Sequence, residues 1–173
     1  MRVFLDTEYT DFSNPRLLSA GLVAEDGREF YCELSDGWLS HHCSEFVLDT
    51  VLPLMDGQMH GQMSERVAMT RDEAGGKLVA WLASLGSQVV VVSDTETDWR
   101  LVMMLIYPHV SDTSNQLEIA GEMLSWPGFA MARRHEDLLE ELLYHEPARH
   151  HALVDARALR KAVLQTEAEF RAG

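Results

Sequence analysis

The first fifth of the chain alternates short apolar runs with turn residues. Residues 2–7, 16–25 and 28–34 are rich in apolar, β-forming side chains, so we expect a strand in each run. Asp26 and Gly27 lie between the second and third runs, and an Asp-Gly pair there favours a tight hairpin. The pattern therefore predicts an antiparallel meander at the start of the chain.

Helical patterns follow the meander. Residues 44–55 predict a short helix whose first serine is its N-cap, whereas residues 57–69 show no periodicity and are predicted to form a loop. Thr70 and Glu73 then stand three residues apart, which is the spacing of a capping box. The helix that they open is expected to end near Gly86.

The second half of the chain alternates strands with helices. Residues 88–93 contain four consecutive valines, which is typical of a strand buried on both faces. Helices are predicted over residues 98–107, 134–144 and 152–170, and a short strand over residues 116–120. The first of these helices is expected to end at Pro108. We therefore expect one α/β domain over residues 1–173, with a mixed sheet flanked by helices.

Two acids end the first predicted strand. Asp6 and Glu8 are two residues apart, so both carboxylates leave the same face of the strand and Thr7 points the other way. Two carboxylates this close repel each other unless a proton or a metal ion lies between them. An exposed polar strand end is the alternative interpretation of this pair taken alone.

A second group of acids follows the valine strand. Asp94, Glu96 and Asp98 occupy this position, and Trp99 and an apolar helix follow them. Ligands of α/β proteins usually bind outside the carboxyl ends of such strands, although an aspartate at a helix start also serves as a cap. We prefer Asp98 to Asp94 as the functional acid because the helix follows it directly, and the choice between them stays open.

A third group precedes the last helix. His150 and His151 come just before it, and Asp155 lies beside its apolar stripe. The stripe consists of Ala152, Ala156, Leu159 and Val163. An aspartate at the edge of a buried stripe requires a partner, and His150 is close enough in sequence to share a site with it.

These three groups, in this order, resemble the motifs of the DEDD exonuclease superfamily, in the branch with a histidine in its last motif. The motifs here are Asp6-Thr7-Glu8, then Asp98, then His150 and Asp155 five residues later. Residues 17–31 are also similar to a compact bacterial group of ribonuclease-T-like exoribonucleases. The residues before Asp98 depart from the Asn and aromatic residue that often stand there, and the spacing to Asp155 favours His150 over His151.

The resemblance implies a ribonuclease-H-like fold and a 3′-to-5′ exonuclease that acts on single-stranded ends, with RNA preferred to DNA as the substrate. It also implies two divalent ions, Mg²⁺ or Mn²⁺, held by four acids, with His150 as the general base. Those acids are Asp6, Glu8, Asp98 and Asp155. A homodimer is a further expectation that rests on the resemblance.

Charge and hydropathy limit the partners. The chain has 28 acidic residues against 14 Lys and Arg, which gives a net charge of −14. This balance argues against nonspecific binding to duplex DNA, but bound metal ions can supply local positive charge. No apolar run is long enough to span a membrane, and Asp6 interrupts the stretch that a signal peptide needs, so we expect a cytoplasmic protein.

Two other functions remain open at this level. One is a phosphatase of the haloacid-dehalogenase type with Asp6 as nucleophile; its expected second aspartate is replaced by Glu8, and Lys77 and Lys161 are poorly placed for it. The other is a catalytically silent member of the exonuclease fold that binds RNA or a protein. The acids and the histidine are all present, however, and a net charge of −14 does not suit a basic binding face.

Overall fold

The computed structural model describes residues 1–55, 68–110 and 117–171. Its strands are β1 (Arg2–Tyr9), β2 (Leu17–Ala24), β3 (Glu29–Leu34), β4 (Ala68–Met69), β5 (Gln88–Ser93) and β6 (Glu118–Met123). Its helices are α1 (Arg71–Leu85), α2 (Glu96–Val110), α3 (Phe129–Leu143) and α4 (Ala152–Arg171). The strands form one mixed sheet in the order β4-β3-β2-β1-β5-β6. The predicted α/β fold with a mixed sheet flanked by helices is confirmed.

The directions in which the chain leaves β1 and β5 make room for a ligand at the carboxyl ends of these two strands. β1 pairs antiparallel with β2 on one side and parallel with β5 on the other. The chain leaves β1 towards β2, whereas it leaves β5 through α2 towards β6. Ligands of open α/β sheets bind where neighbouring parallel strands diverge in this way, outside their carboxyl ends.

Alternation along β1 divides its side chains between two helical layers. Val3 and Leu5 belong to the core that includes Leu78 of α1 and Leu101 of α2. Phe4 instead packs with Val92 and with residues of α4. Because side chains alternate along a strand, Asp6 and Glu8 face the α4 layer and Thr7 faces the α2 layer.

Backbone hydrogen bonds confirm two local predictions, the Asp-Gly turn and the capping box of α1. Gly27 closes the β2–β3 hairpin with φ +93°, and its N–H donates to the carbonyl of Ala24 at 2.8 Å. Thr70 and Glu73 form the predicted capping box of α1, with each side chain accepting from the other's backbone N–H. The meander, the valine strand and the last helix also form as predicted.

Residues 44–55 do not form the predicted regular α-helix. Ser44 Oγ does accept the N–H of Val47 at 3.3 Å, as an N-cap would. The chain then forms a π-helical turn over Val47–Val51 and a 3-10 turn over Leu52–Leu54. Pro53 lies in the last turn and has no N–H to donate, so the regular α-helical ladder cannot continue.

Three other predicted boundaries were wrong. α2 extends past Pro108 to Val110, so the proline, which removes one backbone hydrogen bond, lies in the last turn of the helix rather than beyond its end. α3 begins at Phe129 rather than residue 134, and its N-cap, Gly128, has no side chain to mark the start. The short strand predicted to end at residue 120 is β6, which continues to Met123 because it pairs with β5 over its whole length.

The predicted loop at residues 57–69 lies mostly outside the described residues. Only its last two residues are described, and they form β4, which pairs parallel with β3. Residue 116 of the predicted short strand also lies outside the described residues. Among the described helices, none combines the length and the apolar character that crossing a membrane requires.

Gly21 allows the first turn of α4 to lie directly on β2. A Cβ at this position would stand 2.4 Å from the carbonyl carbon and oxygen of Ala152 and from the nitrogen of Leu153. These are backbone atoms that cannot move without shifting the helix. Since α4 begins at Ala152, this contact sets the height of the helix start above the sheet.

Gly21→Ala is expected to destabilise the protein by about 1–3 kcal/mol, because it forces a methyl group into a filled space. Gly76→Ala is the matched control, since a Cβ there meets its nearest neighbour at 3.7 Å, and alanine in a helix should stabilise by up to about 1 kcal/mol. Urea denaturation of both variants measures the difference. Equal effects of the two substitutions would contradict the close contact.

Candidate metal centre

A cavity of about 420 Å³ opens at the carboxyl ends of β1 and β5. Six acidic side chains line it: Asp6, Glu8, Asp11, Asp94, Asp98 and Asp155. His150 and three aromatic residues, Tyr9, Phe12 and Phe46, line it as well. No lysine or arginine among the described residues does so. The cavity therefore combines strong negative charge with an aromatic rim.

The acids form two adjoining groups. One oxygen each of Asp6, Asp94 and Asp98 lie within 4.8 Å of one another. Oxygens of Glu8 and Asp155 and a ring nitrogen of His150 form the second group, within the same limit. Asp6 and Glu8 are neighbours on one face of β1, so the strand joins the two groups.

Asp98 belongs to α2, so it reaches the first group from the α2 side of the sheet. Its side chain is only 3% exposed, and two hydroxyls donate to it, from Thr7 and from Thr95 at 2.5 Å. Asp94 follows directly after β5 and is exposed. The open choice between Asp94 and Asp98 has a structural answer that the sequence did not suggest, because both acids lie beside Asp6.

The turn before α4 positions the second group. His150 adopts φ +74°, a left-handed conformation that is uncommon for residues other than glycine and that clusters at functional sites. Its N–H donates to Asp155 Oδ2 at 3.0 Å. This turn holds the histidine and the first-turn aspartate of α4 together on the same side of the sheet.

The two histidines point to different surroundings. The ring of His150 packs edge-on against Phe46, with the ring centres 5.0 Å apart, inside the cavity. The ring of His151 stacks on Tyr31 at 4.5 Å and does not line the cavity. The structure therefore brings His150, and not His151, to the acids.

The register shift in β1 and β2 helps to place Phe46. Pairing shifts between Glu8 and Tyr9, where Leu18 is the extra residue on β2. Leu18 packs with Val47 and the rest of the helical segment that follows Phe46. No sequence signal marked Phe46, Phe12 or the hydroxyl of Thr7 as parts of the site, whereas Thr95 was detectable as a cap three residues before Asp98.

Burial and mutual repulsion keep the acids from ionising together. Burial raises the pKa of Asp6 well above its usual value, and Glu8 raises it further. Burial, with Asp155 and Asp98 adding repulsion, raises the pKa of Glu8 to about 9. Burial also raises the pKa of Asp98 and of Asp155 to about 6 each, although hydrogen bonds oppose this shift. Positive charge is therefore needed for all these groups to be ionised near neutral pH.

The donor set fits a divalent cation. Carboxylate oxygens are the preferred ligands of Mg²⁺ and of Mn²⁺. Asp155 Oδ1 is buried and has no hydrogen-bond partner among the described residues, so one acceptor of the second group is left for a ligand. Both groups are thus suited to hold an ion.

No known protein-family model and no curated protein matches the chain. What the site does must therefore be argued from its own geometry and chemistry.

We expect the metal-free protein to lose stability as the pH rises from about 5 to about 9. The native acids have raised pKa values, so the folded state binds more protons than the unfolded state in this range. Stability should therefore be greatest at the acidic end and decline as pH approaches the pKa of Glu8, about 9. Urea denaturation with chelator present, at a series of pH values, measures the slope.

Asp6→Asn/Glu8→Gln should flatten this slope, and saturating Mg²⁺ should reduce it in the wild type, because the ion stabilises the ionised acids. Asp49→Asn/Glu141→Gln is the control, since it removes two exposed acids that do not line the cavity. A slope that both double variants change equally would mean that general surface charge, not the acid cluster, governs the pH dependence.

Proposed function

We propose that this protein is a metal-dependent 3′-to-5′ exonuclease of the DEDD superfamily, in its histidine-containing branch, with a ribonuclease-H-like fold. The observation that carries the proposal is the meeting of Asp6, Asp94 and Asp98 with Glu8, His150 and Asp155 in one cavity. The three sequence motifs that resemble the family contribute all of these residues except Asp94. Convergence of distant motifs on one cavity supports a shared chemical role.

Two divalent ions, Mg²⁺ or Mn²⁺, would be held by the acids of the two groups. Asp6, Asp94 and Asp98 would hold one ion, and Glu8 and Asp155 would hold the other. Such ions supply Lewis-acid stabilisation of the negative charge that develops on a phosphodiester. The protein's own part is to bring the acids together in one cavity that no lysine or arginine of the described residues lines, so that the ions supply the positive charge that the ionised acids need.

His150 suits the role of general base. Burial, and then the nearby Arg149, lower the pKa of its imidazole below the usual value, so the ring is neutral and ready to accept a proton at neutral pH. Its ring nitrogen lies within 4.8 Å of oxygens of Glu8 and Asp155. A water molecule between these groups would lose its proton to His150 as it attacks the phosphorus.

The rim of the cavity fits a single-stranded end. Phe12 is 87% exposed and Phe46 is 50% exposed, and Phe12 packs edge-on against Tyr9. Exposed aromatic rings bind unpaired bases by stacking without strong sequence preference. A duplex would not present unstacked bases to them. The preference for RNA over DNA, the homodimer and the cytoplasmic location remain predictions from the resemblance and the sequence.

The phosphatase alternative has less support. An aspartyl-phosphate on Asp6 would need a positive side chain nearby to balance its charge, and no lysine or arginine of the described residues lines the cavity. Glu8 also stands where this type of phosphatase has its second aspartate.

Hydrolysis of end-labelled single-stranded RNA and DNA with Mg²⁺ or Mn²⁺ tests the proposal. We expect stepwise release of mononucleotides from the 3′ end and no turnover in excess chelator. Asp155→Asn should abolish turnover, because it removes the negative charge of a ligand that is also left without a hydrogen bond on Oδ1. Asp137→Asn, at an exposed ion pair on α3, is the matched control and should remain active. Undiminished activity with chelator would overturn the two-ion proposal.

Substitution of each histidine separates the base from its neighbour. His150→Ala should lower kcat by about 10²-fold or more, the usual worth of a positioned base. His151→Phe should have little effect, since phenylalanine preserves the stacking on Tyr31. In the wild type, kcat should fall at acidic pH as His150 becomes protonated. Measurement of kcat for both variants at saturating Mn²⁺ decides the roles, and loss of activity in His151→Phe alone would assign the base to His151 instead.

A further inference from the structure

Asp98 differs from the other acids of the metal centre in how it is held. It is the buried member of its group, with 3% of its surface exposed, and each of its two oxygens accepts one hydroxyl. Thr7 Oγ1 donates to Oδ1, and Thr95 Oγ1 donates to Oδ2 at 2.5 Å. Rotation of the carboxylate would break both hydrogen bonds, so its orientation is determined from two sides.

Helix capping explains only one of these hydroxyls. The N–H of Asp98 donates to Thr95 Oγ1 at 3.2 Å, so Thr95 caps the first turn of α2 while its hydroxyl donates to the Asp98 carboxylate. Thr7 belongs to β1, 91 residues away in the chain, and contributes nothing to the cap. Its hydrogen bond therefore needs another reason.

Thr7 lies between the two strand ligands of the proposed centre. Its neighbours Asp6 and Glu8 face the α4 layer, while its own side chain is 5% exposed and faces α2. One three-residue stretch of β1 thus presents two acids directly and holds a third from the opposite face. The position of Asp98 relative to Asp6 is consequently set through Thr7.

We propose that Thr7 is a positioning residue, whose hydroxyl holds the Asp98 carboxylate in the orientation that a divalent ion shared with Asp6 and Asp94 requires. The proposal rests on the metal centre of the proposed function. A carboxylate has about four acceptor sites, and the two threonine hydroxyls and the backbone N–H of Thr7 use three of them, so one site is left for the ion. Groups that orient a metal ligand in this way typically change metal affinity or activity by about 10–100-fold when removed.

Two matched pairs of side chains at position 7 isolate the hydroxyl. Threonine and Thr7→Val share a branched shape, and Thr7→Ser and Thr7→Ala both lack the methyl group, so each pair differs chiefly in the hydroxyl. Thr166→Val is the control, because Thr166 is fully buried and its Oγ1 has no hydrogen-bond partner among the described residues.

The experiment is calorimetric titration of each variant with Mn²⁺, together with exonuclease activity as a function of Mn²⁺ concentration. We expect Thr7→Val and Thr7→Ala to bind Mn²⁺ about 10–100-fold more weakly and to need correspondingly more Mn²⁺ for half-maximal activity. Thr7→Ser and Thr166→Val should bind Mn²⁺ as the wild type does. A merely structural role of Thr7 would lower melting temperature without moving the Mn²⁺ dependence.

Three results would overturn the positioning role. Equal Mn²⁺ affinity within both matched pairs would overturn it alone and leave the proposed function intact. Failure of both hydroxyl-free variants to fold, with Thr7→Ser folded, would make the hydroxyl a requirement of the fold instead. Absence of Mn²⁺ binding and of turnover in the wild type would overturn the proposed function itself, and the positioning role with it.

Discussion

Repulsion among carboxylates at the end of β1 is the constraint on which the rest of this structure depends. The fold brings Asp6, Asp94 and Asp98 within 4.8 Å of one another, and does the same for Glu8, Asp155 and His150. None of the described residues that line the cavity supplies a fixed positive charge, so burial and proximity raise the pKa values of the acids. Such an arrangement opposes folding unless protons or cations occupy it, which is typical of a site maintained for function.

The rigid parts of the fold hold these acids against their repulsion. β1 is paired on both sides over its first residues, so the acids at its end project from a fixed backbone. Gly21 lets the start of α4 approach the sheet, which brings Asp155 and His150 to Glu8. The hydroxyls of Thr7 and Thr95 donate to the Asp98 carboxylate and hold it on the α2 side of the sheet. Each acid group is therefore fixed by a different local device, and none depends on a long flexible side chain.

Sequence patterns predicted best the elements whose signal lies in neighbouring residues. The Asp26-Gly27 turn and the Thr70–Glu73 capping box depend on contacts within a few residues, and both form. The valine strand pairs with the distant β1, but its run of apolar residues marked it. The start of α3 was missed because Gly128 carries no capping side chain. The π-helical turn at Val47–Val51 was missed because a pattern of apolar residues does not distinguish one helical hydrogen-bond ladder from another.

The sequence by itself determined the chemistry that each segment can offer: two acids on one face of a strand, acids at a helix start, and a histidine five residues before an aspartate. It left Asp94 and Asp98 as alternatives and said nothing of Phe46 or of the Thr7 hydroxyl. Only the tertiary structure decided that both acids lie beside Asp6 and that Thr7 bonds to Asp98, and it places in the cavity the histidine that the spacing favoured, His150. The reason is that these relations join residues up to about 150 positions apart, and only the pairing of strands and the packing of helices bring such residues together.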